Sequence, residues 1–371
     1  MIQMSWFSNI INKNKNNGNI FDPSRRWIHF SNGLISDLED ISQSIWITDS
    51  NWFEMWFLGV EERLGLTLGK RLIQASSDSF EYFLIFNKVQ IPKNKDIGNW
   101  TKLHEDWRHR NLGNFSLYSV DAKITKLLIT DYANLYITIG YLASAFEYIN
   151  NARYKFQWND SESSIILSFE LTNQFFPLPS KSKNFSHNFS EIKKIHNSEL
   201  WDMLSIQDDG MWYIHNSRKM IVTSDLFFRF EGLCLPFLKK IDFSGSNNYD
   251  WGIKDDMKSL WWSASADSAR ELFISSAYHI LIREDSDWIK VGQKHLSMYG
   301  LGKITHAESL DKYGEIIFQL ETSFHLSLSC GILLACWERA YGKKGKLILT
   351  SDENDFFVKI SNSLDAVNPQ Y

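Results

Sequence analysis

The chain has 371 residues, 44% of them hydrophobic and 22% charged, which excludes a disordered chain and is too long for one ordinary core. Two domains of roughly 100–200 residues each are therefore expected. The net charge is −5 with no long basic run, so the footprint of a nucleic-acid binder is missing, and no stretch nears the ~20 apolar residues of a transmembrane helix.

Taken in chain order, residues 1–20 end in Asn12-Lys13-Asn14-Lys15-Asn16-Asn17-Gly18-Asn19. This reads as a flexible arm, without the basic and apolar regions of a secretory signal. A first domain is expected over 21–175. Leu64, Leu68 and Leu72 open its helical region, Pro92 to Asn99 form a looped insertion, and Tyr132 to Tyr148 supply a late helix. Phe175-Phe176-Pro177-Leu178-Pro179-Ser180 opens a linker over 176–205.

A second domain is expected over 206–362, with a tail over 363–371. Ala269, Leu272, Phe273, Ser276, Ala277, Ile280 and Leu281 share one helical stripe, with Ser268-Ala269-Arg270-Glu271 as a capping box at its start. Asp285-Ser286-Asp287 restarts a helix carrying Trp288, Val291 and His295. The Gly300-Leu301-Gly302 turn breaks it, because glycine tolerates positive φ. Strands follow at Lys303–Ala307 and Ile316–Leu320, then a small-residue helix from Leu326 to Tyr341, then a strand at Leu347-Ile348-Leu349. The order is helices, hairpin, helix, hairpin. The expected class is α+β: two tandem copies of an antiparallel sheet packed with helices.

The tandem reading rests on three anchors that recur in order. Trp27-Ile28-His29 matches Tyr213-Ile214-His215. Asn111-Leu112-Gly113 matches Gly300-Leu301-Gly302. Gly140-Tyr141-Leu142 with Phe146-Glu147 matches Gly331-Ile332-Leu333 with Trp337-Glu338. Each copy closes on an apolar strand, Ile165–Leu171 and Asp355–Ile360.

The Gly-Leu-Gly turn, hairpin, small-residue helix with Gly331 and Glu338, and final Gly-Lys hairpin resemble the vinyl-reductase-like domain. That family is related to small subunits of the vesicle-tethering transport particle and to the haem-NO-binding fold. The resemblance covers about 210–362 and more faintly 25–172. It implies a ligand-sensing or scaffolding module that commonly dimerises. Many relatives carry cysteines near the final hairpin as potential metal ligands. Here Leu347 to Asp355 has none, which puts a metal role in doubt.

No complete catalytic set is visible. His104 and His109 are five apart, not the four that share a helical face in a zincin. His306-Ala307-Glu308 lacks the cysteine pair of a zinc deaminase. Gly65 to Arg71 lacks the ending of a phosphate loop. The cysteines Cys234, Cys330 and Cys336 are odd in number, which fits a reducing, cytoplasmic compartment. Fifteen Trp and 26 Phe are read first as core, with an aromatic pocket as the sharper alternative.

The expected function is a non-enzymatic ligand-binding or scaffolding protein with a protein partner or self-association. No catalytic residue, metal or cofactor is assigned. The candidate ligand contacts are His29, Phe146, Glu147, His215, Trp337 and Glu338, since a carboxylate beside an aromatic ring can select a ligand. The alternatives are a carrier for a small apolar ligand such as a tetrapyrrole or acyl chain, and an enzyme whose site is assembled from distant residues.

Overall fold

The computed structural model describes residues 21–363 except 90, 93–96, 162, 175–176, 181–188 and 353–354. The expected arm 1–20, most of the tail and the middle of the linker lie outside the described residues.

Short apolar-rich runs form β1 (Trp27–Phe30), β2 (Ile35–Asp37) and β3 (Asp40–Asp49). Helices α1 (Ser50–Leu64), α2 (Gly69–Phe86) and α3 (Thr101–Arg110) follow, then the hairpin β4 (Asn114–Val120) and β5 (Ile124–Thr130). Next come α4 (Leu135–Asn150) and the hairpin β6 (Tyr154–Ser161) and β7 (Ser164–Leu171). The connection contains β8 (Lys194–Ile195), α5 (Ser198–Trp201) and β9 (Leu204–Ile206). Then β10 (Trp212–Ile214), β11 (Ser217–Thr223) and α6 (Ser224–Cys234) precede β12 (Tyr249–Asp250), α7 (Asp256–Ser275) and α8 (Ser286–His295). The chain ends with β13 (Gly302–Ser309), β14 (Ile316–Ser323), α9 (Leu326–Tyr341), β15 (Gly345–Asp352) and β16 (Asp355–Asn362).

The class is α+β with antiparallel sheets, as the pattern of elements predicts. The one parallel pairing among the described strands is β12 on β15. The first half carries a sheet ordered β4-β5-β7-β6, and the second carries β12-β15-β16-β14-β13. Apart from β12, each hairpin finds the same neighbour in both. α4 and α9 are buried nearly all round because each is sandwiched between its sheet and a long helix, α2 or α7. Their caps satisfy free backbone groups: Asn134 accepts the Ile137 N–H at 3.1 Å, and His325 accepts the Ser327 N–H at 3.3 Å.

A seven-stranded sheet, β8-β1-β2-β3-β11-β10-β9, joins the halves through the antiparallel pair β3–β11. Asp49 and Thr223 each precede a helix, and the registered partners Ile47 and Ile221 are separated by the same 174 residues. An approximate two-fold axis therefore passes between those isoleucines. Across it the helices exchange: α1 packs on α7, and α6 on α2. Trp56 Nε1 donates to the Ser265 carbonyl at 3.1 Å, and Ser268 Oγ donates to the Trp56 carbonyl at 2.9 Å. One apolar core runs through both halves.

Four local expectations change. The capping box at Ser268 is not a helix start, because α7 begins a dozen residues earlier, where Asp255 accepts the Met257 and Lys258 N–H groups at 3.0 and 3.1 Å. Leu64, Leu68 and Leu72 straddle a break: Gly65, at φ 61°, ends α1, so the helical region starts at Ser50. The anchor Trp27–His29 lies on β1, two strands out from the axis-side β3. Tyr213-Ile214 lies on β10, next to β11, so the two segments are not counterparts. Parts of the 176–205 linker are strands, β8 and β9, at the two edges of the central sheet.

The other two anchors occupy matching positions. Leu112 and Leu301 each donate to the carbonyl five residues back, of Trp107 and Leu296, at 3.1 Å. Their own carbonyls accept from Ala133 and Phe324, just before α4 and α9, at 3.1 and 3.2 Å.

Candidate functional site

The end of β3 sits beside the start of β11, so the register places Asp49 opposite Lys219. Their side chains form a cross-strand ion pair, Nζ to Oδ1 at 2.5 Å. The Lys219 ammonium also lies 5.4 Å from the Tyr299 ring centre. Around this pair is a cleft of about 80 Å³ lined by Trp46, Ile47, Thr48, Trp52, Phe273, Tyr278, His295, Tyr299, Leu301 and Ile332. Burial lowers the His295 imidazole to about 4, with the charge of Lys294 adding to it, so the ring is neutral at pH 7. Burial and the Asp49 carboxylate push the Tyr299 hydroxyl up to about 12. The cleft is thus an aromatic box with one charged pair.

The two-fold counterpart lies in the first half, lined by Asp37, Asp40, Gln43, Ile45, Ser79, Phe80, Phe83, Arg110, Tyr141 and Thr223. Ile45 and Thr223 stand where Lys219 and Asp49 stand across the axis. Using the matched anchors, Arg110 and Tyr141 fall where Tyr299 and Ile332 fall. At this position only about 10 Å³ is left, and a separate surface groove of about 410 Å³ adjoins it at Phe80 and Phe83. Arg110 occupies the position, donating through Nε to Asp106 at 3.0 Å and through Nη2 to Asp37 at 3.2 Å. Its guanidinium lies 5.2 Å from the Phe83 ring centre. Arg26 pairs with both aspartates at 2.7 Å. Burial works against the Arg26 charge, but Asp106 and Asp37 outweigh it and raise the pKa above the usual value.

A second polar chain lies in the second half. His325 Nε2 meets Glu231 at 2.7 Å and Nδ1 meets Ser327 Oγ at 2.8 Å, while Ser327 meets Ser265 at 2.7 Å. The order imitates a nucleophile–base–acid triad. Both serines are 0% exposed, however, so no substrate reaches either hydroxyl. The chain locks the start of α9 to α6 and α7. Burial pushes Glu231 up, but the His325 contact outweighs it and holds the carboxyl below its usual range.

The six residues singled out by sequence do not converge. His29 is buried in β1, where Trp201 Nε1 donates to its Nε2 at 3.0 Å. His215 is exposed in the β10–β11 turn at φ 53°. Phe146 stacks on Phe169 at 4.2 Å within the core. Trp337 is buried and donates to the Gly314 carbonyl at 2.6 Å. Glu147 and Glu338 share one structural task. Each accepts the N–H that opens the next strand, from Tyr154 at 2.8 Å and Gly345 at 3.0 Å. Each also pairs with an arginine, Arg153 or Arg270. Glu147 additionally borders a surface groove.

Sequence reasoning missed Lys219, Asp49 and Arg110. The available signal was a lysine opening the apolar strand Met220-Ile221-Val222, where a charge must be buried with a partner. Among the described residues, no group of three or more His, Cys, Asp or Glu is placed to hold a metal ion. No described helix is long and apolar enough to cross a membrane. No family model, curated protein or solved structure matches the chain.

Proposed function

We propose that this chain is a non-enzymatic ligand-binding protein of regulatory or scaffolding type, built by duplication and paired internally. The observation that carries the reading is the unequal pair of two-fold-related cavities. One is plugged by Arg110, while the other is hollow, aromatic and open beside Lys219. A duplicated protein that needed only a stable core would gain by filling both, since a hollow forgoes contacts. The matched strand orders and helix exchange support the duplication. The vinyl-reductase-like relationship stays a proposal on the same footing. The three cysteines, all unpaired, support a cytoplasmic setting. The cleft volume of about 80 Å³ favours a single-ring ligand over a tetrapyrrole or acyl chain.

The test is ligand-observed NMR of the full chain against a set of single-ring compounds. Ile332→Tyr, which copies Tyr141 on the filled side, is the control. The expected result is a set of binders lost in the variant, with the fold retained by circular dichroism. Either no binders or equal binding to the variant overturns the reading.

A further inference from the structure

We propose that the cleft takes a single-ring carboxylate, held by Lys219, and that its arrival releases Asp49 to cap helix α1. This rests on the ligand-binding reading above and adds the chemical class and the coupled movement.

The Lys219 side chain is only 4% exposed. Its ammonium has three N–H donors, and Asp49 is the one carboxylate that meets it among the described residues. A buried ammonium with spare donors invites a further acceptor. The cleft beside it is lined by the aromatic rings of Trp46, Trp52, Phe273 and Tyr278, with Trp46 and Trp52 edge to face at 87°. A planar ring carrying an anionic edge satisfies both features. A cationic ligand does not, because it would face Lys219 and have to share Asp49.

Asp49 is the partner able to move. Its side chain is 35% exposed, against 4% for Lys219. It occupies the N-cap position of α1 with extended backbone, φ −68° and ψ 135°, yet makes no capping bond. Across the two-fold axis, Thr223 does cap its helix, accepting the Leu226 N–H at 3.3 Å. The α1 N-terminus therefore offers uncapped N–H groups and a favourable dipole beside Asp49, whose backbone already has the N-cap conformation. An incoming carboxylate repels Asp49 and replaces it on Lys219. Asp49 then takes the cap, and the buried charge stays balanced.

The test is calorimetric titration of the full chain with benzoate, benzamide and benzylamine near neutral pH. The expected order is benzoate first, with benzamide weaker by about tenfold, the factor for losing one charge-assisted hydrogen bond. Lys219→Met removes that preference. Asp49→Asn removes the competing charge but keeps a good cap, so benzoate binds several-fold tighter. This second variant leaves the proposal testable if Lys219→Met fails to fold. Benzamide or benzylamine binding as tightly as benzoate overturns the carboxylate proposal and leaves the broader reading standing. Weaker benzoate binding to Asp49→Asn overturns the exchange. Binding of none of the three overturns this proposal, and the compound set above then decides the broader reading separately.

Discussion

His29 shows how a single side chain is spent on the fold. Trp201 Nε1 donates to its Nε2, which requires that nitrogen to be unprotonated. Burial, with the charge of His196 adding to it, lowers the imidazole from 6.5 to about 4. Between those two values the unfolded chain binds a proton that the folded chain does not. Stability therefore falls as pH drops from 6.5 towards 4, by about 3 kcal/mol for this group. His29→Gln keeps an acceptor for Trp201 and removes the titration. Chemical denaturation of the variant across that window is expected to show a shallower acid limb than the parent, and an unchanged limb would show that His29 is not its source. The glutamates Glu147 and Glu338 belong to the same scale. Their recurrence was legible in the sequence, but their task was not, because it depends on a strand seven residues further on that turns back over the helix end.

At the scale of elements, close helix packing explains the small residues of α4 and α9. A Cβ on Gly140 would lie 1.9 Å from Ser76 Oγ and 2.4 Å from the Ile73 carbonyl oxygen on α2. One on Gly331 would lie 2.2 Å from the Ala266 carbonyl oxygen on α7. Neither backbone oxygen can yield without moving a helix. Gly331→Ala is expected to cost about 1–3 kcal/mol by overpacking, measured as a fall in the denaturation midpoint at unchanged slope. A loss near zero would mean that α9 stands further from α7 than described. α9 was readable end to end, since Leu326–Tyr341 is apolar, small and bounded by Gly342. The start of α7 was not, because Ser268 and Glu271 look like a cap in isolation. Ser268 instead bonds the Trp56 carbonyl on a helix some two hundred residues away.

At the scale of the molecule, the halves hold each other. The central sheet crosses from one to the other at β3–β11, and α1 and α6 are exchanged over the joint. Separating the halves would expose two apolar strand edges and the faces of α2 and α7. Co-expressed segments 1–180 and 189–371 are therefore expected to co-purify as a one-to-one complex. Ile221→Lys, placed at the pair on the two-fold axis, is expected to abolish that complex. Two segments that each behave as folded monomers would contradict the shared sheet.

The amino-acid sequence by itself determined the α+β class, the late helices, the Asn-Leu-Gly and Gly-Leu-Gly turns and the hairpins after them. All are set by local periodicity, turn chemistry and burial of neighbouring side chains. Tertiary structure alone decided where β1 and β10 sit in the central sheet, which helix packs on which half, and which side chains meet in the cleft. Asp49 and Lys219 are 170 residues apart, and nothing local to either one specifies the other. Strand pairing across the axis brings them together, so the candidate site is a property of the register rather than of any motif.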